Sequence, residues 1–250
     1  MAGRFEGKVA LVTGGSSGIG ESTALKFAAE GAKVAISARG AERGNETVAK
    51  IKAAGNDAIF IKTDVSVAIE VEAMVKTTVA TFGRLDYAFN NAGCGNLVRG
   101  LDAPEEAWDK VIDTNLKGVW LCMKYEIPQM LKVGGGAIVN NSSISGVGGS
   151  PRRYQYVASK HGVNGLTKCA AIEWAKEGIR VNAVVPGIIE TPMWGEITPE
   201  YRTELDRSQP IARMGRADEV ADTVLWFCSD QSSYVTGVTL LVDGGMCAQP

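Results

Sequence analysis

The chain has 250 residues, 45% of them hydrophobic, which is enough to bury a substantial core in one α/β domain or in two smaller ones. We expect a single domain spanning residues 1–250. The formal net charge is -2, and its 26 basic residues are spread along the chain, which argues against nucleic acid or an anionic membrane as a partner. No apolar run approaches the roughly 20 residues of a membrane span, and the N-terminus lacks the apolar region of a signal peptide, so we expect a cytoplasmic protein.

Cysteine and histidine content excludes several kinds of site. The five cysteines form no CxxC pair and fit neither a disulfide framework nor a zinc site, so we interpret them as reduced thiols and predict no metal. A Ser-His-Asp triad would have to use the single histidine, His161, but no GxSxG nucleophile elbow accompanies it.

Seven short runs rich in β-branched residues predict strands. They occupy residues 8–13, 33–38, 57–63, 85–91, 136–143, 179–186 and 238–244. The segments between them carry helix signals, and three end at a glycine, as helices commonly do: Gly31, Gly55 and Gly83. Strands that alternate with helices predict a Rossmann-type, doubly wound α/β fold with a seven-stranded parallel sheet flanked by helices on both faces.

Residues 187–214 are the least regular part of the chain and include the partly apolar stretch PMWGEITP. A long insertion within a compact domain is more often a lid or a binding loop than a passive connection. We therefore expect this segment to bind substrate.

The first predicted strand runs into the glycine-rich stretch TGGSSGIG, residues 13–20, and then directly into a helix. Glycines there allow a sharp turn, close approach of a pyrophosphate and tight packing of helix against strand. The free N–H groups and positive dipole end of the helix would favour the phosphates. In this context the stretch predicts a dinucleotide site.

The GxxxGxG spacing of that turn resembles the classical short-chain dehydrogenase/reductase family, and further stretches resemble the same family in order along essentially the whole chain. They are Asp64 in TDVS, NNAG at 90–93, Asn115 in DTNLKG, Ser143 in NNSSISG, Tyr156 and Lys160 in YVASK, PG at 186–187 followed by Thr191, and VDGG near the C-terminus. The resemblance implies an oxidoreductase that transfers hydride between a nicotinamide cofactor and a ketone or secondary alcohol.

The choice of cofactor should be decided at the end of the second strand, where an acidic residue would hydrogen-bond the ribose 2′-OH and repel a 2′-phosphate. The sequence there reads Ser37, Ala38 and Arg39, without a carboxylate. An arginine suits a phosphate through charge-assisted hydrogen bonds. We therefore favour NADP(H), while NAD(H) bound beside a solvated Arg39 remains open.

The resemblance also implies the remaining cofactor contacts, with Asp64 at the adenine, Lys160 at the nicotinamide ribose and Thr191 at the carboxamide. Asn90 is expected to stabilise the sheet instead. The full expected set is Gly14, Ser16, Ser17, Gly18, Ile19, Gly20, Arg39, Asp64, Val65, Asn91, Ala92, Gly93, Tyr156, Lys160, Pro186, Gly187, Ile188 and Thr191.

The stretch YQYVASK holds two tyrosines, and helical spacing separates them. Tyr156 lies four residues before Lys160 and shares its face, whereas Tyr154 lies six residues before it and does not. A tyrosine with a pKa of about 10 is a weak base at neutral pH, and a nearby cation lowers that pKa. With Lys160 supplying the cation, Tyr156 is expected to be the general acid/base.

Two further residues complete the expected catalytic set. Ser143 stands thirteen residues before Tyr156, as the family's serine does, and would hold the substrate oxygen, while strand alternation points Ser142 to the opposite face. Asn115 resembles the residue that kinks the helix after strand four and anchors a water linked to the lysine. The alternative for Asn115 is a buried asparagine that satisfies backbone groups.

The expected substrate-binding residues surround this set. Arg152 and Arg153 would suit an anionic substrate, but we favour a solvated or interface role for each, and Tyr154 is either a pocket wall or an interface residue. The substrate set is Ser143, Ser145, Gly149, Arg153, Tyr154, Met193 and Trp194.

The sequence also bears on four alternative functions. A sugar-nucleotide epimerase would need a larger C-terminal domain, and an enoyl reductase would separate the tyrosine and lysine more widely. A NAD-preferring dehydrogenase of a cyclic or sugar-like alcohol remains open, and a non-catalytic dinucleotide sensor would tend to lose the tyrosine or the lysine. The resemblance also implies a homotetramer, in which the helices after strands four and five pair between subunits.

Overall fold

The computed structural model describes residues 3–95 and 100–249. Its strands are β1 (Val9–Thr13), β2 (Lys33–Ala38), β3 (Ala58–Lys62), β4 (Tyr87–Asn90), β5 (Gly136–Asn141), β6 (Ile179–Pro186), β7 (Ile189–Glu190), β8 (Gly215–Arg216) and β9 (Thr239–Val242). Seven of them form one parallel sheet in the order β3-β2-β1-β4-β5-β6-β9. The predicted seven-stranded Rossmann-type fold is confirmed. The order reverses between β1 and β4, and a sheet of this kind has its ligand crevice at the carboxyl ends of the strands beside that point.

Helices cover both faces of the sheet. They are α1 (Gly18–Ala29), α2 (Ala41–Ala53), α3 (Ala68–Phe82), α4 (Glu105–Ile112), α5 (Gly118–Leu131), α6 (Tyr154–Trp174), α7 (Pro199–Arg207) and α8 (Ala217–Cys228). Because side chains alternate along a strand, Val34 and Ile36 of β2 pack in one core with α1 and α8, whereas Ala35 packs in the other with α3, α5 and α6. Each face of the sheet therefore has its own apolar layer.

The predicted helix ends are observed. α3 stops at Phe82, and Gly83 follows with φ 83°, a left-handed conformation that glycine adopts without steric cost. Gly31 and Gly55 follow the ends of α1 and α2 in the same region of φ.

A polar network lies in the layer between the sheet and helices α3, α5 and α6. Asn90 on β4 donates to Asn140 on β5 and to the Glu126 carboxyl group on α5, both at 3.1 Å. Asn140 in turn donates to Thr167 on α6 at 3.0 Å. Asn90 thus joins strands and helices, as expected.

Residues 187–214 are more ordered than the sequence predicted. β7 pairs with β8 through Ile189 and Gly215, and between them lies α7. The segment encloses a small core of its own in which Ile188, Leu205 and Met214 are buried. The sequence analysis missed β7 and β8, which have two residues each and so no recognisable periodicity.

Within the described part of the chain, no helix is long and apolar enough to cross a membrane. Among the same residues, no cluster of three or more histidine, cysteine or acidic side chains is arranged to hold a metal ion.

Candidate active site

The glycine-rich turn after β1 packs against the residues that follow β4. The Asn91 side chain donates to the backbone oxygens of Thr13 and Gly14 at 3.0 and 3.2 Å. A Cβ at Gly14 would lie 2.8 Å from the Asn91 nitrogen, and one at Gly20 would lie 2.3 Å from the Gly14 oxygen. Side chains at these positions would displace the turn, so the glycines keep it tight and its backbone accessible.

A cavity of about 730 Å³ opens at the carboxyl ends of the strands and extends to the 187–214 segment. Nearly all of the predicted cofactor residues line it: Gly14, Ser16, Ser17, Gly18, Ile19, Arg39, Asp64, Val65, Asn91, Ala92, Gly93, Tyr156, Lys160, Pro186, Gly187, Ile188 and Thr191. Gly20 lies behind the turn and outside the lining.

The predicted substrate residues divide into two groups. Ser143, Ser145, Arg153, Met193 and Trp194 line the cavity. Gly149 and Tyr154 lie outside the lining, which argues against Tyr154 as a pocket wall. Tyr154 is the first residue of α6 and is 56% exposed, because its six-residue separation from Lys160 turns it away from the catalytic face.

Sequence reasoning missed several lining residues. Ser37, Asn141, Ser150, Tyr201 and Met246 belong to the wall. Asn141 is the last residue of β5 and stands two residues before Ser143. Side chains two residues apart point to the same face of a strand, so this alternation could have identified Asn141. Tyr201 on α7 and Met246 near the C-terminus reach the cavity only through the folding of distant segments.

The chemistry of the lining fits a dinucleotide. Among the residues that the structure describes, its charged side chains are the cations Arg39, Arg153 and Lys160 and one carboxylate, Asp64. Two buried polar atoms of the wall, Ser37 Oγ and Asn141 Oδ1, have no hydrogen-bond partner within the described ranges. A pyrophosphate-containing ligand is bound by positive charge, by polar atoms that lack a partner within the protein, and by a glycine turn before a helix N-terminus. The lining offers all three.

Tyr156 and Lys160 lie together on α6 beside the end of β5. Lys160 Nζ is 5.6 Å from the centroid of the Tyr156 ring and donates to the backbone oxygen of Asn141 at 2.7 Å. The Ser143 side chain lies close enough to Tyr156 to lower the pKa of its hydroxyl. The four-residue spacing and the choice of Ser143 thus bring three predicted catalytic side chains to one place.

The two neighbouring serines separate as predicted. Ser142 Oγ is buried and donates to the Lys160 backbone oxygen at 3.2 Å. Ser143 Oγ accepts from the Ser145 N–H at 3.2 Å and faces Tyr156.

Burial has a strong effect on the pKa values of the pair. It raises the pKa of Tyr156, against which the Ser143 hydrogen bond and the positive charge of Arg153 act in the lowering direction. It lowers the pKa of Lys160 to about 8. The lowered tyrosine pKa predicted from the neighbouring cation is not observed, because the loss of solvent on burial acts in the opposite direction.

Asn115 lies in a five-residue π-helical segment (Asp113–Lys117) between α4 and α5, where the resemblance implied a kinked helix. Its side chain is fully buried and is bonded twice to the backbone of Cys94, accepting from N–H and donating to C=O at 2.8 Å each. It also donates to Ser159 Oγ at 3.3 Å. The side chain therefore satisfies backbone groups, the alternative left open above, and fixes the residues beside Tyr156, while a relay through water stays a prediction.

Comparison with known proteins decides the family. A family profile described as Enoyl-(Acyl carrier protein) reductase matches residues 14–247. A 3-oxoacyl-(acyl-carrier-protein) reductase of Staphylococcus aureus is 46% identical over 240 residues, covering 96% of this chain and 98% of that protein. A cyclohexanol dehydrogenase of Acinetobacter sp. is 44% identical over 245 residues, covering 98% of this chain and 96% of that protein.

The crystal structure of levodione reductase superposes with a TM-score of 0.95 at 36% identity, covering 98% of this chain and all of that one. The chain belongs to the short-chain dehydrogenase/reductase family. As a short-chain dehydrogenase/reductase it is an NAD(P)-dependent oxidoreductase that acts on an alcohol or ketone group of a small molecule. Its tyrosine and lysine stand four residues apart, closer than the spacing expected of an enoyl reductase.

Proposed function

We propose that this chain is a carbonyl reductase and secondary alcohol dehydrogenase in which Tyr156 is the general acid/base. The observation that supports it most directly is the position of Tyr156, beside Ser143 and Lys160 in the wall of the cavity. A ketone that becomes an alkoxide needs a proton from a group within hydrogen-bond reach, and the reverse reaction needs a base at the same place.

Each neighbour of Tyr156 has a distinct part in this proposal. Ser143 donates a hydrogen bond to the substrate oxygen and stabilises the negative charge that develops there. Lys160 is mostly protonated at pH 7, because its pKa is about 8, and its charge favours the ionised form of Tyr156. The nicotinamide cofactor, when bound, supplies or accepts the hydride. Asn115 positions the adjoining backbone.

Replacing Tyr156 by phenylalanine tests the assignment, and Tyr154→Phe is its matched control on the same helix. General acid–base groups contribute about 10² to 10⁴ in rate, so Tyr156→Phe should lower kcat by at least about 100-fold. Cofactor affinity, measured by nicotinamide fluorescence, should stay within about twofold, and Tyr154→Phe should leave both quantities unchanged. Ketone reduction by Tyr156→Phe at the parent rate would contradict the assignment.

We favour NADP(H) as the cofactor because of Arg39. It follows β2, lines the cavity and is exposed. Asp64, the nearest acidic group of the wall, already accepts hydrogen bonds from the Ser66 hydroxyl at 2.6 Å and from the Ser66 N–H at 3.0 Å. Arg39 forms no ion pair or hydrogen bond within the described ranges, so its guanidinium is available to a 2′-phosphate.

Parallel titrations with NADPH and NADH test this preference without knowledge of the substrate. A charge-assisted hydrogen bond to an exposed arginine is worth about 1.4 kcal/mol, so Arg39→Gln should weaken NADPH binding about tenfold and leave NADH binding unchanged. Arg43→Gln makes the same charge change outside the cavity lining and should affect neither. Tighter NADH binding by the parent protein would instead support the second candidate, a NAD-preferring dehydrogenase of a cyclic alcohol, which similarity to the cyclohexanol dehydrogenase favours.

We further propose a cytoplasmic homotetramer of single-domain subunits. Large apolar side chains on the two long helices support subunit pairing, since Trp120 on α5 is 46% exposed and Ile172 on α6 is 82% exposed. Leu241 on the edge strand β9, 43% exposed, supports a second contact. Light scattering after size-exclusion chromatography should give four times the 26.4 kDa subunit mass; a monomer would exclude the assembly.

A further inference from the structure

Arg153 lines the catalytic end of the cavity and, among the described residues, forms no ion pair with a carboxylate. Its guanidinium lies 5.8 Å from the centroid of the Tyr156 ring, and this is its one polar or ring contact within residues 3–95 and 100–249. Arg84, Arg202 and Arg213, in contrast, each form an ion pair with a carboxylate. A guanidinium that lines a cavity without a carboxylate partner is available to an anionic ligand.

The one carboxylate in the lining, Asp64, is too distant to neutralise Arg153. Asp64 follows β3 at the edge of the sheet, whereas Arg153 lies beside β5 and α6. Four strand spacings separate β3 from β5, which at about 4.8 Å each amounts to roughly 19 Å. Lys160, the other cation among the described residues at this end, donates to the backbone oxygen of Asn141.

The surroundings of Arg153 also favour an anion. Ser145 and Ser150 also line the cavity and carry hydroxyl donors, and Ser150 stands three residues before Arg153 in the sequence. Arg153 itself precedes the first residue of α6, a helix of 21 residues whose positive dipole end points toward this region. A guanidinium, two hydroxyls and a helix N-terminus together match the bonding needs of a carboxylate.

We propose that Arg153 binds an anionic group of the substrate, and that the substrate is a short oxo acid, or the corresponding hydroxy acid, with its carboxylate close to the reacting carbon. The closeness follows from geometry: the reacting oxygen must contact the Tyr156 hydroxyl, and Arg153 packs on the ring of that same tyrosine. A 2-oxo or 3-oxo acid spans this separation. The inference rests on the proposed function, whose substrate class it narrows.

The arrangement also suits the chemistry. A substrate carboxylate beside Tyr156 would raise the pKa of the tyrosine through like-charge repulsion, and the positive charge of Arg153 acts in the opposite direction. Arg153 would thus offset the rise in the Tyr156 pKa that the bound carboxylate causes.

The experiment compares acids with their neutral methyl esters. Purified protein is assayed with NADPH and with NADH on 2-oxo and 3-oxo acids of three to eight carbons, on the matching esters and on cyclohexanone. The variants are Arg153→Gln, Arg153→Lys and, as a control for charge at the neighbouring exposed position, Arg152→Gln. We expect the parent to prefer an acid over its ester in kcat/KM, and Arg153→Gln to lower kcat/KM for that acid by about 10- to 100-fold, mainly through KM, with less than about a twofold change for the ester. Arg153→Lys should recover part of the loss, and Arg152→Gln should have no effect.

Other outcomes overturn the inference. An equal fall for acid and ester in Arg153→Gln would mean that the residue acts through Tyr156. A parent protein that reduces esters or cyclohexanone but prefers no acid would refute an anionic substrate while leaving the proposed function intact. If no carbonyl compound is reduced with either cofactor, the proposed function fails and this inference fails with it.

Discussion

The Glu126 carboxyl makes the stability of this protein depend on pH. It is completely buried on α5, and burial raises its pKa to about 8, although the hydrogen bond from Asn90 acts in the opposite direction. Its second oxygen, Oε1, has no hydrogen-bond partner among the described residues. At neutral pH the folded protein therefore holds Glu126 mostly as the neutral acid, whereas the unfolded chain ionises it.

The sign of the effect follows from proton linkage. The folded-state pKa lies above the unfolded value of 4.5, so the folded state binds the proton more tightly. The corresponding stability is fully present below pH 4.5 and is lost as the pH rises toward 8. At 1.36 kcal/mol per pKa unit, the free energy of unfolding should fall by about 3 kcal/mol between pH 5.5 and pH 8 from this group alone.

Glu126→Gln removes the titration while keeping the shape of the side chain. Urea unfolding of the parent and the variant at pH 5.5 and pH 8, at one fixed protein concentration, gives the difference directly. Between pH 5.5 and pH 8, the free energy of unfolding of the variant should fall by about 3 kcal/mol less than that of the parent. Glu173→Gln, an exposed change on α6, should show the same fall as the parent. If Glu126→Gln and the parent show the same pH dependence, the carboxyl is not buried as an acid and the reasoning fails.

Two further predictions concern the site. Ser143→Ala should lower kcat/KM by about 100-fold, as loss of a donor to a developing oxyanion does, whereas Ser142→Ala should mainly lower thermal stability by removing its bond to the Lys160 backbone; equal kinetic losses would contradict the division of roles. Gly20→Ala places a Cβ 2.3 Å from the Gly14 oxygen and should weaken the binding of NADPH and NADH alike in fluorescence titrations. Binding of either cofactor at parent affinity would show that the turn tolerates the displacement.

The sequence predicts the large elements of this fold because their signals are local. The fourth and fifth strands, predicted at 85–91 and 136–143, are observed as Tyr87–Asn90 and Gly136–Asn141. Apolar runs fix the centre of a strand, while its ends depend on which partner residues remain to pair with. Glycines that end helices act through their own backbone and need no partner, so those boundaries were predictable.

The parts that escaped prediction depend on contacts between distant residues. β7 forms because Ile189 pairs with Gly215 across the 187–214 segment, and Met246 near the C-terminus packs against the small core of that segment. The raised pKa of Tyr156 also depends on contacts between distant residues. A spacing of four residues reveals the lysine neighbour, but the extent of burial is a property of every segment that closes over the site.

Arg153 shows where local pattern ends and tertiary structure begins. Arg152 and Arg153 stand four and three residues before Tyr156, and both separations would place a side chain on the tyrosine's face if the helix included them. The structure starts α6 at Tyr154, and Arg152 adopts φ 63°, a left-handed conformation that takes it out of the helical path. Arg153 alone of the two then lines the cavity. Which charge reaches the substrate is thus determined by the residue at which one helix begins, and hydrophobic periodicity does not specify that residue.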